Sequence, residues 1–209
     1  MFPTTALEAL AAVGVPGYFD TEEGLLIAHP ADVSQERALS GEHVVLTPPD
    51  SMVPGWSAIA YEPDGTPDFA DITVYDVPED DITRCAQAVA QWFTDPRPSA
   101  GAVLLAALTQ YGITSYDDHN GMTYAISMDP AAPAAGIRIR PHLSIGDRNG
   151  SVEHVPAAHT GWSLFAHGED GEPVGDPLFV SGDGGLVDCD ADSVAAAEVI
   201  ADYLNRSAR

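Results

Sequence analysis

Thirteen residues of the first half, Gly55-Trp56-Ser57-Ala58-Ile59-Ala60-Tyr61-Glu62-Pro63-Asp64-Gly65-Thr66-Pro67, align without gaps on a second stretch. That stretch is Gly161-Trp162-Ser163-Leu164-Phe165-Ala166-His167-Gly168-Glu169-Asp170-Gly171-Glu172-Pro173. Seven of the thirteen positions are identical, where chance gives roughly one. Upstream, Leu10, Gly14, Val15, Tyr18 and Asp20 fall on Leu108, Gly112, Ile113, Tyr116 and Asp118. His43 to Leu46 falls on His142 to Ile145, and Val89 to Phe93 on Ile200 to Leu204. The offsets grow in chain order, 98, 99, 106 and 111, as a duplication with accumulating insertions requires. The chain reads as a tandem repeat, residues 1–95 and 99–209, joined through the Pro-rich Thr94-Asp95-Pro96-Arg97-Pro98-Ser99.

One repeat can then be read twice. Ala6–Val13 and Ala102–Tyr111 are Ala/Leu-rich and stop at Gly14 and Gly112, the pattern of a helix ended by a left-handed glycine. Strands are predicted at 24–29 and 122–128, at 43–47 and 137–145, and at 56–61 and 162–167. Asp64-Gly65 and Asp170-Gly171 signal hairpins, so partner strands are predicted at 69–77 and 177–181. Closing helices follow at Asp81–Phe93 and Asp192–Asn205, with Asp81 and Asp192 placed as N-caps. The expected fold class is α+β: two α-β-β-β-β-α units, each an antiparallel sheet with its helices on one face. Two equal units predict a pseudo-twofold particle resembling a fused homodimer, a monomer or homodimer in solution.

Missing residue types exclude much chemistry. The basic residues are eight arginines with no lysine, which removes the phosphate-binding loop, the kinase lysine and Schiff-base catalysis. Cys85 and Cys189 form no CxxC pair, so a cysteine-rich zinc site is excluded. Neither HExxH nor GxSxG occurs. No apolar run approaches the roughly eighteen residues of a membrane helix, and residues 1–10 lack a secretory pattern. A cytoplasmic protein with free thiols is expected. Arginine without lysine, beside abundant Ala, Gly, Pro and Asp, fits a GC-rich bacterial genome.

The remaining signal is charge. Thirty-two Asp and Glu against eight arginines give a net charge of −24. Both halves share it: 17 acids and 3 arginines lie in residues 1–98, 15 acids and 5 arginines in residues 99–209. A compact chain of this length spans roughly 40 Å, over which duplex DNA carries about two dozen charges. Two acidic runs stand out, Asp76, Glu79, Asp80 and Asp81 before the first closing helix and Asp188, Asp190 and Asp192 before the second. Three readings fit them: charge at a helix N-terminus, a surface for a basic partner, and the opening spacing of a calcium loop. Calcium is disfavoured because Ser193 and Val199 stand where that loop needs glycine and glutamate. Gly182-Asp183-Gly184-Gly185 reads as a turn rather than a phosphate cradle. His142 repeats His43, and a strand-end histidine with a satisfied ring is the plain reading.

The expectation that follows is a non-enzymatic, strongly acidic protein that occupies a basic surface of a partner. In one version it imitates DNA and inhibits a DNA-binding protein. No cofactor or metal, no direct nucleic-acid binding and no membrane association are expected. The alternatives are a chaperone or immunity-type protein for one exported or toxic partner, which the architecture loosely resembles, and a hydrolase built on His43, His142 and nearby carboxylates.

Overall fold

The computed structural model describes residues 2–61, 72–78, 81–117, 122–129, 136–147 and 151–207. The chain divides into two compact units, Met1–Pro98 and Ser99–Arg209. The first runs α1 (Phe2–Ala12), β1 (Gly17–Asp20), β2 (Leu25–Ala28), β3 (His43–Thr47), β4 (Ser57–Tyr61), β5 (Ile72–Asp76), α2 (Ile82–Trp92). The second runs α3 (Ala100–Gln110), β6 (Ser115–Asp117), β7 (Tyr124–Ser127), β8 (His142–Asp147), β9 (Trp162–His167), β10 (Phe179–Val180), α4 (Cys189–Ser207). Each unit is a five-stranded antiparallel meander, β1-β2-β3-β4-β5 and β10-β9-β8-β7-β6.

The repeat is visible down to single hydrogen bonds. Gly14 and Gly112 have φ of +77° and +69°. The N–H of Val15 reaches back to Leu10 O at 3.0 Å, and that of Ile113 to Leu108 O at 3.0 Å. Gly14 N donates to Ala11 O and Gly112 N to Thr109 O. Both helices thus end in a Schellman motif, which satisfies their last carbonyls and turns the chain into the sheet.

Period-two alternation builds the core. Leu143 and Ile145 of β8, and Trp162, Leu164 and Ala166 of β9, face Leu104 and Leu108 of α3 and Ala196, Ala197 and Ile200 of α4. In the first unit Leu26, Val44, Leu46, Ala58 and Ala60 are buried from the sheet, with Leu10 from α1 and Cys85 and Val89 from α2. Trp56 and Trp162 are both buried, as core anchors should be.

Four details differ from the sequence expectation. Each sheet has a fifth strand, β1 or β6, only four or three residues long. It exists because β2 and β7 offer it a pairing edge, Tyr18 opposite Ile27 and Tyr116 opposite Ala125. Ile137–Ile139 is a 3-10 turn begun by Gly136 at φ +78°, and the strand proper runs from His142 to Asp147. The second closing helix starts a turn early, at Cys189, and its cap is Asp188 rather than Asp192. The 69–77 strand ends one residue early, at Asp76; residues 69–71 and the Asp64-Gly65 turn lie outside the described residues.

Candidate functional site

The acidic runs occupy the two helix starts. Asp76 is exposed at the end of β5; Glu79 and Asp80 lie outside the described residues. Asp81 is half-buried and caps α2, its Oδ1 accepting from Thr83 N at 2.9 Å and Arg84 N at 3.2 Å. In the second unit Asp188 is exposed and caps α4 through Ala191 N at 2.9 Å, and Asp190 is exposed in the first turn. Both caps also place negative charge at the positive end of a helix dipole.

Asp192 behaves differently. It occupies the repeat position of Asp81, but the extra helical turn passes the capping role to Asp188 and turns Asp192 inward, to 6% exposure. Its Oδ2 accepts from His159 Nε2 at 2.8 Å, Ser181 Oγ at 2.7 Å and Trp162 N at 3.1 Å. A carboxylate so enclosed cannot touch a partner surface directly. It ties α4 to the start of β9 and the end of β10.

The bond to His159 continues outward. His159 Nδ1 lies 3.1 Å from His154 Nε2, and His154 Nδ1 lies 3.4 Å from Asp147 Oδ2. The rings of His154 and His159 stack at 5.4 Å and 4°, and Trp162 packs on His159 at 4.5 Å while donating Nε1–H to Ser193 Oγ at 3.0 Å. His159 is fully buried and Asp147 is 8% exposed. Proton positions follow from the partners. A carboxylate accepts, so His159 carries a hydrogen on Nε2; with both rings neutral, its Nδ1 accepts from the Nε2–H of His154. That leaves His154 Nδ1 without a hydrogen and without a hydrogen-bond partner. Burial, outweighing Asp147 and reinforced by His159, pushes the His154 imidazole down to about 4.

The backbone around this chain is drawn close by two glycines. A Cβ on Gly161 (φ +125°) would lie 2.3 Å from Ser181 O, and one on Gly182 (φ +64°) 2.3 Å from Thr160 O. Gly182 therefore serves the junction of β9 with the segment after β10.

The strand histidines are satisfied. His43 Nδ1–H reaches Gly41 O, and His142 Nδ1–H reaches Arg140 O, both at 2.9 Å. His43 stacks on Tyr61 at 5.2 Å; at the same ladder position His142 stacks on His167 at 4.6 Å. His167 donates from Nδ1 to Gly171 O at 2.9 Å, so its Nε2 accepts the Ser144 hydroxyl at 2.7 Å. A hydroxyl on a base oriented by a third group is the beginning of a nucleophile. However, β8 is paired on both edges, and the N–H groups beside Ser144 are spent in its ladders rather than aimed at an oxyanion. The first unit has Val45 and Tyr61 at these positions. The pair is a cross-strand polar contact in place of an apolar one.

Both thiols are buried. Burial, then Asp81, pushes Cys85 up to about 12. Burial does the same for Cys189, with Asp190, Asp192 and Asp188 adding to it against a hydrogen bond with Ser193. Among the described residues no three His, Cys, Asp or Glu side chains are grouped to hold a metal. No described helix is long and apolar enough to cross a membrane.

Residues 151–205 contain eleven carboxylates and no arginine or lysine. All but Asp192 are exposed. Their concentration was readable from the sequence, whereas the buried histidine chain was not: its members are dispersed from Asp147 to Asp192, and no local spacing links them. No family model matches the chain, and neither a curated protein nor a solved structure matches it.

Proposed function

We propose that the protein acts by binding, presenting carboxylates to a basic surface on a partner protein, and that one such partner class is DNA-binding proteins. The observation that supports this reading is the 151–205 stretch: ten exposed carboxylates with no arginine or lysine among them in the sequence, Asp188 and Asp190 of them at the start of α4. Unneutralised charge of this kind attracts a cationic surface and speeds its approach, and its effect weakens with salt. Asp188 and Asp190 are the contacts proposed for the second unit, and Asp76 is the exposed contact proposed for the first taken by itself. Asp192 has a supporting role, holding the turn that carries Asp188 and Asp190. Co-precipitation of purified basic DNA-binding proteins with the chain, challenged with duplex DNA, tests it. Capture displaced by DNA supports the proposal; capture indifferent to DNA removes the DNA-mimic version.

A further inference from the structure

Meander topology sends three connections to one end of the first sheet: the β1–β2 turn, the β3–β4 loop and the segment from β5 to α2. The ladders fix that end. Thr47 lies opposite Ser57, Ser57 opposite Asp76, and Asp20 opposite Leu25.

The β3–β4 loop carries the most exposed large apolar side chain among the described residues, Met52 at 87%, with Val53 exposed beside it. Their backbone is held. Asp50 N donates to Val53 O at 2.8 Å, and Asp50 Oδ1 accepts from Met52 N at 2.6 Å and Val53 N at 2.8 Å. Pro48, Pro49 and Pro54 flank this Asx turn, and each fixes one backbone angle. The tip is thus ordered before any partner arrives, which lowers the entropy lost on binding. Leu25, exposed on the neighbouring strand β2, adds apolar surface at the same end.

The second repeat shows that the scaffold does not impose this exposure. Met52 and Val53 align on Ala158 and His159; there His159 is fully buried, and Ala157 is buried too. One copy tucks the loop into its core. The other holds it out with a methionine at the tip.

Charge decides what can meet the tip. The three connections, residues 20–25, 47–57 and 76–81, contain eight carboxylates and no arginine or lysine. Of these Glu22, Glu23, Asp50 and Asp76 are exposed. Arg84 follows in the first turn of α2 and is half-buried. Nucleic acid, anionic lipid and a second copy of a chain of net charge −24 are all repelled by such a rim. A cationic protein is attracted, and the apolar tip fits a pocket among its cations.

We infer that the Met52–Val53 turn is the docking anchor of the first unit. It seats in an apolar pocket on a cationic partner protein, while Glu22, Glu23, Asp50 and Asp76 meet the arginines and lysines around that pocket. The inference rests on the binding function proposed above and names the surface that the first unit would use for it.

The test uses the full chain and a purified basic DNA-binding protein that it captures, with association and dissociation rates followed separately. Met52→Ser with Val53→Thr removes the anchor at exposed positions and leaves the backbone bonds of the turn in place. Dissociation should quicken on the order of tenfold, with association within about twofold, as loss of an interface anchor requires. Glu22→Gln with Asp76→Asn should instead slow association. Dilute hydrogen peroxide gives a second reading on the unaltered chain: one peroxide oxygen passes to the Met52 sulfur, leaving sulfoxide and water. Met52 should oxidise readily in the free chain and be protected in the complex. Unchanged dissociation of the Met52→Ser, Val53→Thr variant, or equal oxidation of Met52 free and bound, would overturn the anchor. In that event salt-sensitive association still leaves the binding reading standing. Absence of association at every salt concentration overturns both.

Discussion

His159 and Asp192 are joined by a 2.8 Å hydrogen bond inside the second unit, at repeat positions held by Val53 and the helix cap Asp81 in the first. The duplicated scaffold has thus taken two forms of anchorage. In one copy the aspartate caps a helix. In the other it gathers a histidine, a serine and a backbone N–H around one oxygen.

Truncating the two aspartates should therefore have unequal effects. Asp192→Ala leaves the buried His159 Nε2–H without an acceptor and strips Trp162 N and Ser181 Oγ of one of their two acceptors. It should cost about 3 kcal/mol, the upper end for orphaning a buried donor. Asp81→Ala and Asp188→Ala remove N-caps and should cost about 1 kcal/mol each. Urea unfolding, followed with a probe in each unit because two units need not melt together, distinguishes these outcomes.

Stability of the second unit should decline on acidification. His154 and His142 are both held below the ordinary histidine value chiefly by burial. A base depressed in the fold leaves the unfolded chain with more bound protons between its two values. The second unit is accordingly most stable above pH 6.5 and weakens as pH falls from there towards 4. His154 accounts for on the order of 3 kcal/mol of that loss. Denaturant midpoints from pH 8 to pH 4.5 measure it, and midpoints that rise on acidification would contradict the assignment.

The thiols should be inert in the folded protein. Both are buried and both are pushed up to about 12, so little thiolate exists at pH 8. Titration with a disulfide reagent should find neither cysteine reactive in buffer and both reactive in denaturant.

The Ser144–His167 contact should be exchangeable for its counterpart in the first unit. The double replacement Ser144→Val with His167→Tyr copies the Val45 and Tyr61 layer, so the stacking partner of His142 stays aromatic. The change in stability should stay within about 1 kcal/mol, whereas Ser144→Val alone leaves His167 Nε2 short of a donor and should cost more. Thermal melts of the single and double variants decide the point.

The sequence revealed most of the scaffold because duplication supplied two readings of one pattern. Glycines 14 and 112, tryptophans 56 and 162, and histidines 43 and 142 fell into place together. Three features were hidden for physical reasons. Gly17–Asp20 and Ser115–Asp117 are too short to show a period and become strands through their neighbours' edges. The 3-10 turn at Ile137–Ile139 carries the apolar pattern of a strand, and Gly136 in the left-handed region redirects it. The inward turn of Asp192 depends on a helix that starts three residues earlier than its apolar periodicity indicates, and on partners up to 33 positions away in the chain.

The most direct test of the binding account is the association rate between this chain and a basic DNA-binding protein that it captures, measured from about 50 mM to 500 mM salt. Screening shortens the reach of exposed charge over this range. The account predicts a rate that falls by an order of magnitude or more, and a further drop when Asp188 and Asp190 are both changed to asparagine. A rate indifferent to salt and to those two substitutions would contradict it.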